Sequence, residues 1–395
     1  MARRRSVFVA LPALVVVLVA LCLRGPFAAV GPLLGELSDQ LSVPLTALAV
    51  LASLPLVVFG LLSPAAPVLA SRIGLHRAVL AGVLLLAVGV AVRLAGVVGL
   101  FAGTVLLSAG IAIANVLLPA VARAEYGERA AGVVGLVTAS MAVSAALGTG
   151  LAQPLEGVAG GSALRGLALW LLPVLAAALA IGLLARARGG TTAAAPPAAD
   201  RKGILREPVA IAVTVFFGLQ SLSFYAMLTW LPDILESDAG VSPITAGGFT
   251  ALAAVLGGPA SLVVPPLAAR RPSQVGAVLL ICTPTLVSIL GLLLAPSSAP
   301  LLWALLYGLG TGSAFPLSMT LVLLRTRDVA QTGRLSAAAQ SAGYLLAATG
   351  PIAVGALAEA TGGWRAGLLV LLAVQMVQAG FGVMAGRPRL LSASS

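Results

Sequence analysis

The sequence predicts an all-α membrane protein, with twelve transmembrane helices arranged as two pseudo-symmetric halves of six. Three observations carry that prediction. Of 395 residues, 60% are hydrophobic and 9% charged, with a mean hydropathy of +1.10, whereas a soluble domain holds about 25% charged residues. The apolar residues fall in runs of about twenty, the length that crosses the hydrocarbon core of a bilayer. Features of the first half also recur about 200 residues further on. This composition excludes a soluble fold, a disordered chain, a disulfide scaffold and a nucleic-acid-binding domain, despite the net charge of +11.

Polar turns place spans at 7–35, 45–70, 78–96, 99–121, 131–152 and 166–185, then at 208–231, 245–268, 275–295, 300–324, 334–357 and 365–385. The first span follows Arg3, Arg4 and Arg5 and resembles a signal peptide as far as Cys22. Leu21 is a poor residue before a cleavage site and the apolar run continues to Leu34, so it reads as a retained helix. It also carries Gly25, Pro26, Gly31 and Pro32. Pro26 cannot donate to the Cys22 carbonyl and Pro32 leaves that of Ala28 free, which predicts a helix broken at mid-membrane beside a cavity. Cys22 and Cys282 sit in apolar runs and read as small core residues. Gly148 and Gly150 in the fifth span, and Gly308, Gly310 and Gly312 in the tenth, resemble phosphate loops but lie inside spans without a preceding strand. They predict close helix packing.

Charge sets the orientation. Placing the N-terminus, the even-to-odd loops and the C-terminus on the cytoplasmic side puts 19 of the 23 basic residues there, the asymmetry of the positive-inside rule. The exceptions are Arg24, Arg93, Arg165 and Arg365. Both termini are therefore expected in the cytoplasm of a bacterial cell whose inner membrane holds the chain. The Gly/Thr/Ala/Pro-rich stretch 186–206 reads as a flexible cytoplasmic linker between halves at 1–185 and 207–395. The halves are related by an offset of 200 to 203: Pro32 and Glu36 match Pro232 and Glu236, Arg123 matches Arg325, and Arg165 matches Arg365. Parallel six-helix repeats of this kind build transporters with a midplane substrate site.

Arg24 is the sharpest chemical signal. A guanidinium at mid-span costs roughly 2.5–3.5 kcal/mol on insertion scales, and all 12 acidic residues fall in loops or at helix ends. The anion expected at that depth is the substrate, and the planar fork of arginine suits a carboxylate or another small planar anion. Arg93 sits near an outer helix end, where it reads as a structural residue able to snorkel. Asn115 in the fourth span, Gln220, Ser221 and Tyr225 in the seventh, and Gln340 and Tyr344 in the eleventh complete a candidate polar lining. Each is also a residue type that glues helices together. No metal-ligand cluster can form around His76, the one histidine, and no nucleophile–histidine–acid arrangement supports an enzyme. Neither a metal nor a cofactor is expected.

Four stretches carry a resemblance: RGPFAAVGPLL from Arg24, GIAIANVLLPAVAR from Gly110, GLQSLSFYAMLTWLP from Gly218 and LSAAAQSAGYLLAATGP from Leu335. Together they are similar to the cyanate and 2-nitroimidazole transporter branch of the major facilitator superfamily. The resemblance implies that fold, alternating access, and transport of a small polar or anionic solute, by a monomer whose partners are the substrate and the lipid bilayer. The alternative within the class is an exporter of drugs or nitroaromatics. The superfamily's signature after the second helix, Gly-x-x-x-Asp-Arg-x-Gly-Arg-Arg, appears as Pro67 through His76. Only Arg72 and Gly74 match it, and Ser71 replaces the aspartate. The expected gate therefore uses Arg72 and Gly74, with Ser71 as a weak helix cap.

Overall fold

A computed structural model of the chain describes residues 12–48, 50–188 and 204–392. Arg3, Arg4, Arg5, the start of the first span and linker positions 189–203 lie outside the described residues. The described residues are almost all helical, with no strand among them. The chain divides into two compact units, Met1–Ala198 and Ala199–Ser395.

In the first unit the opening span is broken. Helix α1 covers 12–20, a turn occupies 21–24, and α2 (Gly25–Ala28) leads through a 3-10 turn at Gly31–Leu33 into α3 (Leu34–Leu41). Next come α4 (Leu45–Leu48), α5 (Val50–Leu62) and α6 (Ala65–Ile73). The last two form one span bent by 51°, with Pro64 at the N-cap of α6. Helices α7 (Leu75–Val92), α8 (Gly96–Tyr126), α9 (Ala130–Val158), α10 (Ala163–Ala168) and α11 (Leu171–Ala187) complete the unit.

Ten helices among the described residues are long and apolar enough to cross a membrane, or eleven with the bent pair as one span. That count treats α8 and α9 as a single 63-residue stretch, about 95 Å at the rise of an α-helix and some three bilayer cores long. Gly127, at φ +54°, turns the chain so that α9 packs back against α8. Two spans lie there, and the expected twelve are present.

Small residues let the backbones approach, as they do where lipid leaves helices no hydrophobic reason to associate. A Cβ at Gly82 would stand 2.9 Å from the Gly110 carbonyl oxygen, and one at Gly89 would strike the backbone of Gly103 and Leu107. Pairs seven residues apart thereby join α7 to α8. Helix α11 buries Val174, Ala177, Ile181 and Leu184 and exposes Leu172, Leu175, Leu179 and Leu183, the leucine stripe of a lipid-facing helix.

The second unit runs α12 (Pro208–Ser237), α13 (Pro243–Ala269), α14 (Val275–Leu294), α15 (Pro300–Leu324), α16 (Val329–Thr361) and α17 (Arg365–Gly386). Gly218 meets Gly343 where α12 crosses α16, and Gly308 and Gly312 admit Ala253 and Gly257 where α13 crosses α15. The packing expected of the glycine-rich stretches is present at Gly148, Gly308, Gly310 and Gly312. Gly150 faces open space. Beyond α17 the tail is fastened to the ends of other helices. Arg325 donates from Nε to the Ala385 carbonyl at 2.7 Å, and its own carbonyl accepts from the Leu391 amide at 2.9 Å. The Ser392 amide donates to Glu207 Oε2 at 2.8 Å.

Candidate functional site

The site begins with the backbone of the first span. An α-helix through this region would bond the Gly25 amide to the Leu21 carbonyl. Instead Ser144 of α9 stands between them. Its Oγ accepts from the Gly25 amide at 2.7 Å and from the Arg24 amide at 3.3 Å, and donates to the Leu21 carbonyl at 2.6 Å. One turn along α9, Gly148 lets the Gly25 backbone come close, since a Cβ there would fall 2.8 Å from Gly25 Cα. The other side of Gly25 lies against the Trp170 ring. Further along, Gln153 Nε2 donates to the Pro32 carbonyl at 3.2 Å and to Glu36 Oε1 at 2.6 Å. The fifth span is thus a rail along which the broken first span is fixed.

Arg93 supplies the second support. It is 0% exposed, so it does not reach out to the interface as a snorkelling arginine would. Nη1 donates to the Pro26 carbonyl at 2.7 Å, while Nε and Nη2 both donate to Thr104 Oγ1, at 3.2 and 3.0 Å. The Thr104 hydroxyl in turn donates to the Leu100 carbonyl at 2.7 Å. A buried guanidinium is tolerated when its donors find acceptors, and here the broken span provides one of them. Between these supports Arg24 occupies the N-cap of α2 and is half-buried.

The other candidates fall into two groups. Asn115, Gln220, Ser221, Gln340 and Tyr344 are buried, whereas Tyr225 is half-buried. Gln220 Nε2 donates to Ser221 Oγ at 2.6 Å, so these consecutive residues of α12 bond each other. Gln340 Nε2 donates to Ser336 Oγ at 2.9 Å, one turn back on α16. Tyr344 sets its ring edge-on to Phe217, with centroids 5.3 Å apart. The second unit also holds a small open cavity between α12, α13 and α15, walled by Phe224, Met227, Leu231, Ala253, Tyr307 and Thr311 among others. None of the polar candidates lines it. Its one phenol is tied off, with Tyr307 Oη donating to the Ser223 carbonyl at 2.7 Å.

Near the signature segment, Ser71 does not cap a helix. Its Oγ donates back to the Val68 carbonyl at 2.6 Å, and the N-cap of α7 is Gly74, whose φ of +90° favours glycine. Arg72 is exposed. The charges that join helix ends here are others: His76 Nε2 lies 3.0 Å from Glu125 Oε1, and Arg188 Nη2 lies 2.6 Å from Glu125 Oε2. That cluster ties the start of α7 to the ends of α8 and α11. Ser144, Thr104 and Gln153 carry no signal in the sequence that singles them out, and Gly148 is marked there for helix packing alone.

Two units of membrane-crossing helices, each compact and one with a broken span held by a buried arginine and a serine, define a polytopic membrane protein. The chain belongs to the Major Facilitator Superfamily, whose family model matches residues 16–351. It is 36% identical over 379 residues to an uncharacterized transporter of Bacillus subtilis (strain 168), YycB, covering 95% of this chain and 93% of that one. It is 33% identical over 377 residues to the 2-nitroimidazole transporter of Escherichia coli (strain K12), covering 95% of each. The cyanate transport protein CynX of the same organism is 30% identical over 357 residues, 89% of this chain and 91% of that one. Among solved structures, a bacterial homologue of the iron transporter ferroportin in the outward-facing state superposes with a TM-score of 0.76. The match covers 96% of this chain and 99% of that one at 14% identity, a likeness of fold alone.

Proposed function

We propose that the protein carries a small organic or inorganic anion across a bacterial inner membrane by alternating access, with Arg24 as the residue that binds the anion's charge. The observation that supports this reading is the break at 21–24, which holds Arg24 half-buried within the first span with its backbone amide bonded to Ser144. The fork of arginine suits a planar oxyanion or carboxylate. The reading rests on where Arg24 is held, not on a missing counter-charge. Tyr225, half-buried in α12, is assigned to the polar lining of the second half. Asn115, Gln220, Ser221, Gln340 and Tyr344 are assigned to the polar framework of their own halves, and Arg72 and Gly74 to the cytoplasmic hinge. The two halves are assigned to 1–185 and 207–395, joined by a cytoplasmic linker at 186–206, with both termini cytoplasmic and the monomer as the working unit.

A second reading, transport of a compact aromatic or nitroaromatic solute, is favoured by the uncharged cavity in the second unit and by the 2-nitroimidazole transporter among the relatives. The two readings share one test. Purified protein is screened by thermal shift against cyanate, nitrate, formate, benzoate and the neutral ring compound benzamide. The anion reading expects stabilisation by at least one anion and its loss in Arg24→Ala. Stabilisation by benzamide alone, unaffected by Arg24→Ala, would replace it with the second reading.

A further inference from the structure

The break in the first span is wider than its proline requires. Pro26 lacks an N–H and so removes one bond, that to the Cys22 carbonyl. In a helix merely kinked by Pro26, the Gly25 amide remains free to bond the Leu21 carbonyl one register earlier. Here that pair is separated too, and the Ser144 hydroxyl fills the gap between them. A serine hydroxyl has one proton to give and two lone pairs to accept with. Ser144 uses all three, on the Leu21 carbonyl, the Gly25 amide and the Arg24 amide. Insertion of a side chain into the helical ladder is a recognised cause of sharp kinks. In the second half α12 runs unbroken through the matching region.

We infer that Ser144 is the positioning residue for Arg24: its hydroxyl holds the first span open between Leu21 and Gly25 and thereby fixes the depth and direction from which the guanidinium emerges. Without the hydroxyl, the Gly25 amide closes on the Leu21 carbonyl, the helix regains its ladder at that point, and residue 24 turns away from its present place. The inference deepens the proposed function and rests on it for its effect on substrate, but the placement of residue 24 can be read independently.

The primary test therefore needs no ligand. Cysteine is placed at position 24 (Arg24→Cys) in full-length protein carrying Cys22→Ala and Cys282→Ala, and its rate of reaction with a charged, water-soluble methanethiosulfonate is measured in membranes. Adding Ser144→Ala is expected to change that rate by about fivefold or more, and Ser144→Thr, which keeps the hydroxyl, to return it to within about twofold. An unchanged rate in the alanine variant overturns the inference. So does an equal change in both variants, which would assign the effect to side-chain volume.

The second test reads function in the native Arg24 background, with benzoate as the probe. Ser144→Cys keeps the volume while bonding weakly, and is expected to lower benzoate affinity about tenfold with little change in the melting temperature of the ligand-free protein. It also serves if Ser144→Ala fails to fold. A purely structural serine predicts the reverse, a lower melting temperature with benzoate affinity intact, and that result overturns the inference. If Arg24→Ala binds benzoate as the wild type does, the proposed function fails and the labelling rates alone judge Ser144. If Arg24→Ala loses benzoate while Ser144→Cys keeps it, the inference fails and the proposed function stands.

Discussion

The Arg93 guanidinium donates to the carbonyl of Pro26 across 2.7 Å. In an unbroken helix that carbonyl would accept from the Val30 amide, which here turns to Phe27 at 3.3 Å. The third span therefore supplies, through a fully buried cation, a bond that the first span has lost. The buried charge is tolerable because the break and Thr104 provide its acceptors.

Replacing Arg93 with methionine should accordingly destabilise the protein. The substitution leaves the Pro26 carbonyl and Thr104 without their donor, and a buried polar group stripped of its partner costs about 1–3 kcal/mol. Thermal unfolding followed by circular dichroism in detergent should show a drop of several degrees, and Arg93→Lys should recover part of it. A methionine variant as stable as the wild type would contradict this account of the break.

The glycines of the fifth span give a paired prediction. A methyl group at Gly148 would press on the backbone of Gly25, with 2.8 Å to its Cα, whereas one at Gly150 meets nothing. Gly148→Ala should cost about 1–3 kcal/mol, the range of overpacking, and Gly150→Ala should be neutral or slightly stabilising because alanine favours a helix. Equal melting temperatures for the two variants would refute the close contact of α9 with the broken span.

How much of this was legible in the sequence depended on the range of the interaction. The break itself was local, marked by Gly25, Pro26, Gly31 and Pro32, and so was readable. What fills it was not, because Ser144 and Arg93 come to it from 119 and 67 residues away and neither sits in a recognisable motif. Arg93 near a helix end reads as a snorkelling side chain until the Pro26 carbonyl is known to face it. Pro232 carries the same sequence signal as Pro32, yet α12 continues through it, since one lost bond in a 30-residue packed helix is a small perturbation. The polar pairs were visible as residue types. That Gln220 bonds Ser221 and Gln340 bonds Ser336 depends on rotamers that spacing does not determine.

Orientation gives the next prediction. In protein lacking Cys22 and Cys282, Arg271→Cys lies on the exposed turn between α13 and α14, and Ser297→Cys on the exposed turn between α14 and α15. The distribution of basic residues expects the first to react with a membrane-impermeant maleimide only after cells are opened, and the second in intact cells. The opposite pattern would invert the topology.

Coupling gives another. Proton-driven carriers relay protons through acidic residues or histidines inside the membrane, and among the described residues the acidic ones and His76 lie in turns or towards helix ends. The protein is expected to act as a facilitator or exchanger with no obligatory proton of its own. In liposomes, an imposed pH gradient should drive no uphill uptake of benzenesulfonate, which stays ionised at neutral pH. Accumulation against its own gradient would reveal a proton site.

The central claim, that an anion is carried through Arg24, is tested most directly by counterflow. Proteoliposomes loaded with unlabelled cyanate or benzoate are diluted into the labelled anion, and uptake is compared for the wild type, Arg24→Ala and Arg24→Lys at matched protein density. Arginine's planar fork is the feature at issue. The account predicts robust exchange in the wild type, background uptake in the alanine variant and weak recovery with lysine. Exchange in Arg24→Ala at the wild-type rate would contradict it.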